Sequence, residues 1–233
     1  MIQYETFRKN VEFLTQRVRE AAQRSDRPIE QIRILPVTKN FPPDAIEYCL
    51  KSGFMAVGEN RVQETICKQG EFRHRIQWEL IGHLQTNKVK PAIEHFDVVQ
   101  SVDSSKLLEK LQRACQSQEK KLDILLQINA GRDPAKFGID PDLVDAAVEL
   151  ALKCDHLRLK GFMSIAPLSA DDSVARRTFA NLRGLLERTN REFGLALREL
   201  SMGMTDDLEI AIEEGSTCIR VGTALFGTRD AGL

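Results

Sequence analysis

Apolar residues along this chain gather in two alternating patterns. The first is a set of short, nearly continuous runs: IRILPV at 32–37, FMAVG at 54–58, WELIG at 78–82, FDVVQSV at 96–102, LDILLQIN at 122–129, LRLKGFMSI at 157–165, LRELSM at 197–202 and TCIRVG at 217–222. Most show too little alternation to keep one face in water, which is the pattern of strands covered on both sides. The second pattern has helical spacing. Residues 5–24 place Phe7, Val11, Leu14 and Val18 on one face. Pro43 opens the next helix, with Ile46, Cys49 and Leu50 apolar, and Gly53 ends it. Residues 104–119, 141–154 and 174–193 read as further helices. Asp206 with Glu209 predicts a capping box opening a short helix that Gly215 closes.

Eight covered strands alternating with helices predict a (β/α)8 TIM barrel, here with an extra N-terminal helix. An open doubly wound sheet is the competing arrangement, but no GxGxxG or GxxxxGK[ST] follows any strand. Linkers are short, without Pro/Ser-rich segments or repeats, so a single domain over residues 1–233 is expected.

Composition narrows the partners. In 233 residues the formal net charge is -1, so no global field draws the chain to nucleic acid or anionic lipid. No apolar stretch approaches a membrane span, and MIQYETFRKNVEFL carries charges where a signal peptide has its apolar core. Five cysteines, none in a CxxC pair, fit reduced thiols and a cytoplasmic location. The four histidines form no HxH or HExxH, and no metal site is expected. No heptad seam or apolar stripe marks a dimer face, so a monomer is expected.

A barrel of this kind carries its chemistry at the C-terminal ends of the strands. The first strand there ends in Thr38 and Lys39, before Phe41, Pro42 and Pro43 stop it. The second ends in GENR (58–61), the third in GHLQTNK (82–88), the fifth in Asn129, the sixth in Met163 and Ser164, the seventh in SMGMTDD and the eighth in RVGT. Any one of these is equally a cap or a solvated turn; their coincidence at most strand ends favours a site. Loops after strands 7 and 8 of barrels often hold phosphate, and here they offer Ser201, Gly203, Gly222 and Thr223. Tight turns and helix capping account for Gly203 and Asp206 as well. A shielded lysine opposite a phosphate seat suits a phosphorylated carbonyl compound bound as a Schiff base. Two ligands fit: a sugar phosphate, as in lysine-dependent aldolases, or pyridoxal 5'-phosphate with Arg220 facing its ring nitrogen.

LPVTKNFPPDAI, AVGENRVQE, WELIGHLQTNKVK, GFMSIAP and SMGMTDDLEIAIEEGSTCIRVGTALFG together resemble the YggS/PROSC family, the pyridoxal phosphate homeostasis proteins. The likeness runs from about Ile34 to Gly227. It implies a fold-type III barrel like the N-terminal domain of alanine racemase. It implies that Lys39 holds pyridoxal 5'-phosphate as an internal aldimine, that Ser201, Gly222 and Thr223 contact the phosphate, and that Arg220 contacts the ring nitrogen. Asn60, His83 and Ser164 match motif positions lining the same mouth; His83 is equally a cap of the neighbouring helix, and Asn60 a support of its own turn. Thr38 and Thr205 stand where the family usually has serine, and both keep the hydroxyl.

A racemase of this fold type needs a second acid/base, commonly a tyrosine from an added β domain. The tyrosines here are Tyr4 and Tyr48, neither at a strand end, and no added domain is expected after Leu233. A fixed arginine at the ring nitrogen also disfavours its protonation and weakens the ring as an electron sink. The expectation is therefore a carrier that buffers pyridoxal 5'-phosphate or delivers it to apo-enzymes. A weak racemase or lyase is the alternative, and a cofactor-free aldolase the third reading.

Overall fold

The computed structural model describes residues 1–227; residues 228–233 of the expected domain lie outside them. All eight expected strands form: β1 Arg33–Pro36, β2 Ala56–Glu59, β3 Gln77–Leu80, β4 Val98–Val102, β5 Leu122–Gln127, β6 Leu157–Met163, β7 Glu199–Ser201 and β8 Cys218–Val221. They pair in parallel in the order β1-β8-β7-β6-β5-β4-β3-β2. A further parallel bridge between Val37 and Gly58 joins β1 to β2 and closes the ring, with the Thr38 amide donating to the Gly58 carbonyl at 3.1 Å. Gly58 is needed at this closure, because a Cβ there would stand 3.2 Å from Leu35 Cδ2 and 3.1 Å from Ile81 Cδ1.

Helices α2 Asp44–Lys51, α3 Val62–Gln69, α4 Val89–His95, α5 Ser105–Ser117, α6 Val144–Leu152, α7 Asp172–Phe193, α8 Leu208–Glu213 and α9 Thr223–Phe226 follow successive strands. The first helix, α1 Tyr4–Arg24, precedes the barrel. Its apolar face buries Phe7, Leu14 and Val18, each worth about 1.5–3 kcal/mol. That face lies against α8 and α9, and Asn10 Nδ2 donates to the Leu225 carbonyl at 2.9 Å. The extra helix thereby braces the segments that follow β7 and β8.

The capping box is not formed. Glu209 turns away from the helix start to take Arg17 of α1 at 2.7 and 3.0 Å, and the same guanidinium donates to the Thr205 carbonyl at 3.0 Å. A bidentate charge-assisted pair outweighs a carboxylate bonding to a neutral amide. Asp207 does the local work instead, its Oδ1 accepting from the Met204 amide at 2.6 Å. Gly215 closes this helix as expected, with φ +101°. The 141–154 helix opens as a tighter turn, Pro141–Leu143, and α7 starts at Asp172 because Asp171 caps the Ser173 amide at 2.9 Å.

Candidate functional site at the C-terminal mouth of the barrel

A cavity of about 220 Å³ opens at the C-terminal ends of the strands. Five of the sequence-predicted residues line it: Lys39, Asn60, Arg220, Gly222 and Thr223. They come from the loops after β1 and β2, from β8 and from the segment following it. Thr205 and Asp206, from the loop after β7, complete the same wall.

The turn that carries Lys39 is fastened from below. Thr38 is fully buried and its Oγ1 donates to Glu59 Oε1 at 2.6 Å. Lys68, reaching in from α3, donates to the Thr38 carbonyl at 2.7 Å, to Glu59 Oε1 at 2.7 Å and to Glu64 Oε1 at 3.1 Å. Glu64 also accepts from the amide of Asn40, whose φ of +61° turns the chain away towards Pro42 and Pro43. Lys39 thus sits between two clamped neighbours, half-buried at the cavity wall. Within the clamp, Glu59 Oε2 is buried and has no hydrogen-bond partner among the described residues. Burial pushes the Glu59 carboxyl up from its ordinary value, against the pull of Lys68 and Thr38.

Arg220 is almost wholly buried. Its Nη1 donates to Ser201 Oγ and its Nη2 to the Ser164 carbonyl, both at 2.8 Å. Burial lowers its pKa from the usual arginine value, while Cys218 and Asp207 act the other way. An arginine remains a cation under such a shift. Ser201 and Ser164 do not line the cavity. The Ser201 hydroxyl faces the barrel interior, where it donates to Gln100 Oε1 at 2.5 Å, and Ser164 Oγ donates to the Ile128 carbonyl at 2.8 Å. Both serines hold Arg220 from the inside.

His83 stands apart from the cavity. Its Nδ1 lies 2.6 Å from Asp103 Oδ2 and its ring stacks on Phe137 with centroids 4.0 Å apart. It lines a neighbouring depression of about 730 Å³ with Arg61, Glu64 and Lys88; Asn60 borders both spaces. The two tyrosines meet each other, with ring centroids 5.1 Å apart, in an aromatic cluster with Phe7.

Glu59 and Lys68 are site residues that sequence reading did not single out, and Thr205 was noted there without a place in the site. Thr205 had a visible signal, a hydroxyl in the SMGMTDD loop two residues past Gly203. Gly203 itself answers a packing need: φ is +93°, and a Cβ would meet Ala211 Cβ at 2.5 Å. Lys68 looks like any charge on a helix face, and only the fold brings it under Thr38.

An amine, a buried guanidinium and two hydroxyls around a glycine thus converge at the mouth of a parallel barrel, with the Asp206 carboxylate in the same wall. The chain matches the model for the alanine racemase N-terminal domain over residues 9–230. It is 39% identical to the pyridoxal phosphate homeostasis protein of Pseudomonas aeruginosa, over 97% of each chain. The structure of PipY from Synechococcus elongatus with PLP bound superposes with a TM-score of 0.80 at 37% identity, covering 91% of this chain and 99% of that one. Alanine racemase of Clostridium difficile shares the fold, with a TM-score of 0.77 at 15% identity over 96% of this chain and 58% of the enzyme. The chain belongs to the pyridoxal phosphate homeostasis protein family.

Proposed function

We propose that this protein binds pyridoxal 5'-phosphate and serves its homeostasis in the cytoplasm, holding the cofactor on Lys39 and passing it to apo-enzymes. The observation that carries the reading is the convergence in one cavity of Lys39, Arg220 and the hydroxyls of Thr205 and Thr223 around Gly222. The residues fit the group. Lys39 is an amine for its aldehyde, Arg220 a fixed donor for its ring nitrogen, and Thr205 and Thr223 donors for its phosphate. Gly222 packs closely beside them, where a Cβ would come within 3.3 Å of the Val37 carbonyl oxygen. Ser201 serves this arrangement indirectly, through Arg220. The cofactor supplies an electrophilic aldehyde that captures amines.

The chain's own residues favour retention. The clamp on Thr38 and Asn40 presents Lys39 with little freedom, and Arg220 is anchored at two buried oxygens. Nucleic acid and membrane play no part in this reading; among the described residues no helix is long and apolar enough to cross a membrane. The protein acts as a monomer.

The test is the visible spectrum of the protein before and after addition of pyridoxal 5'-phosphate, followed by borohydride reduction and peptide mapping. A new long-wavelength band and a reduced adduct on Lys39 are expected. No band and no adduct would leave a cofactor-free lysine enzyme as the better reading. Rapid multiple turnover of amino acids by the loaded protein would replace the carrier with a racemase or lyase.

A further inference from the structure

The interior of the barrel contains a hydrogen-bonded line that leads to Arg220. It starts at Arg33 on β1, whose Nη1 and Nη2 donate to the two oxygens of Glu79 on β3 at 2.7 and 3.1 Å. Gln100 on β4 donates its Nε2 to Glu79 Oε2 at 2.5 Å. Gln100 Oε1 accepts from Ser201 Oγ on β7 at 2.5 Å, and Ser201 Oγ accepts from Arg220 Nη1 on β8 at 2.8 Å. Glu79 is 1% exposed, and Gln100 and Ser201 0%, so the middle of the line is shut off from bulk water. Arg33 is the half-exposed end of the line.

The direction of each bond follows from one charge. A carboxylate only accepts, so Glu79 turns the amide nitrogen of Gln100 towards itself. The Gln100 carbonyl must then face Ser201, and the Ser201 hydrogen is committed to it. What remains on Ser201 is lone-pair density, and it faces Arg220. The neighbouring Cys218 thiol is pushed up to about 11 by burial, so it adds no charge beside the line. We infer that Glu79 and Gln100 are positioning residues for Arg220: they fix the polarity of Ser201 and so hold the guanidinium oriented towards the ring nitrogen of the cofactor. The inference rests on the proposed cofactor reading.

Glu79→Met tests it, because it removes the acceptor that fixes the Gln100 amide. That amide is then free to turn its NH2 towards Ser201, the polarity at Ser201 is no longer set, and Arg220 loses its fixed acceptor. Arg33 is half-exposed and keeps Glu199 within 3.5 Å. Gln100→Met interrupts the same line by a different route and keeps the volume apolar.

The probes are pyridoxal 5'-phosphate and its 1-deaza analogue, in which CH replaces the ring nitrogen. Dissociation constants are measured on apo-protein by equilibrium dialysis, with thermal melting as the folding control. Wild type should prefer the natural cofactor by roughly ten-fold or more, the range of one hydrogen bond to a charged donor. In both variants that ratio should fall towards unity while the affinity for the deaza analogue stays where it was. A ratio unchanged in either folded variant overturns the inference. So does an equal loss of affinity for both probes, which is the mark of a merely structural role. If wild type binds neither probe, the cofactor reading itself fails, and the two failures are told apart by that one measurement. Should Glu79→Met not fold, Gln100→Met decides alone.

Discussion

Lys68→Met removes the charge that fastens the Lys39 turn while roughly keeping the volume of its stem. The Lys68 side chain is 5% exposed and that of Glu59 0%, so neither has water to fall back on. Two of the three groups Lys68 contacts are otherwise provided for. The Thr38 carbonyl also accepts from the Phe41 amide at 3.0 Å, and Glu64 reaches solvent and keeps the Asn40 amide. The loss therefore falls on Glu59, whose second oxygen already lacks a partner. Without Lys68 the pull that opposes burial is lost, so the Glu59 carboxyl moves further up from its ordinary value in the folded chain but not in the unfolded one. The expected cost at pH 7 is the roughly 3–5 kcal/mol seen when one partner of a buried pair is removed.

The sign with pH is fixed. Glu59 binds its proton more tightly in the folded state, so its contribution is fully present below the ordinary glutamate range. It is lost as pH rises through the raised folded value. The variant's penalty should accordingly be smaller at pH 5 than at pH 7. Urea unfolding of wild type, Lys68→Met and Lys68→Met/Glu59→Gln at both pH values measures it, with the m-value checking that the unfolded state is unchanged. The double variant should recover most of the stability at pH 7. A penalty that is the same at both pH values, or a double variant no better than the single, would refute the argument that Glu59 carries the cost.

Three further outcomes are expected. Lys39→Ala should lose the long-wavelength band formed with pyridoxal 5'-phosphate, and peptide mapping after borohydride should find no adduct in the turn after β1. Thr205→Val and Thr223→Val should each weaken cofactor retention by about 1.5–3 kcal/mol, read as a faster off-rate on dilution; unchanged retention in both would move the phosphate seat away from Gly222. Gly203→Ala should lower the urea midpoint by the equivalent of about 1–3 kcal/mol from backbone strain alone, and more from the clash with Ala211; a neutral result would mean the loop after β7 can shift.

The barrel was legible because parallel strands buried on both faces write themselves as apolar runs, and helices between them keep their own period. Lys39, Arg220, Gly222 and Thr223 could be placed at one mouth because strand ends of a barrel share a face. What could not be read was which way a strand-end side chain turns. Ser201 and Thr205 both offer hydroxyls in one motif; the structure points Ser201 inward to Gln100 and gives Thr205 to the cavity. Glu79 in WELIG and Gln100 in FDVVQSV were visible as polar residues inside largely apolar runs. Their partners were not, since Gln100 and Ser201 lie 101 positions apart and meet only when the barrel closes. The capping box failed for a similar reason: Arg17, 192 positions away from Glu209, competes for it.

Holding a cofactor and turning over substrate make different demands on such an interior. On the proposed reading, retention needs Arg220 to keep one orientation and one charge. A guanidinium bonded to two buried oxygens, backed through Ser201 and Gln100 by a buried carboxylate, meets that need. The same fixity works against catalysis, because a permanent cation at the ring nitrogen opposes the protonation that would let the ring draw electrons. Lys39 can move a proton on one face of the ring, while Tyr4 and Tyr48 are committed to the aromatic cluster between α1 and α2. Amine exchange at Lys39 needs neither an electron sink nor a second base. On that reading the barrel takes up and releases its cofactor by exchange of amines while its deeper chemistry stays slow, and the line of bonds from Glu79 to Arg220 is the part of the structure that holds the guanidinium in place for it.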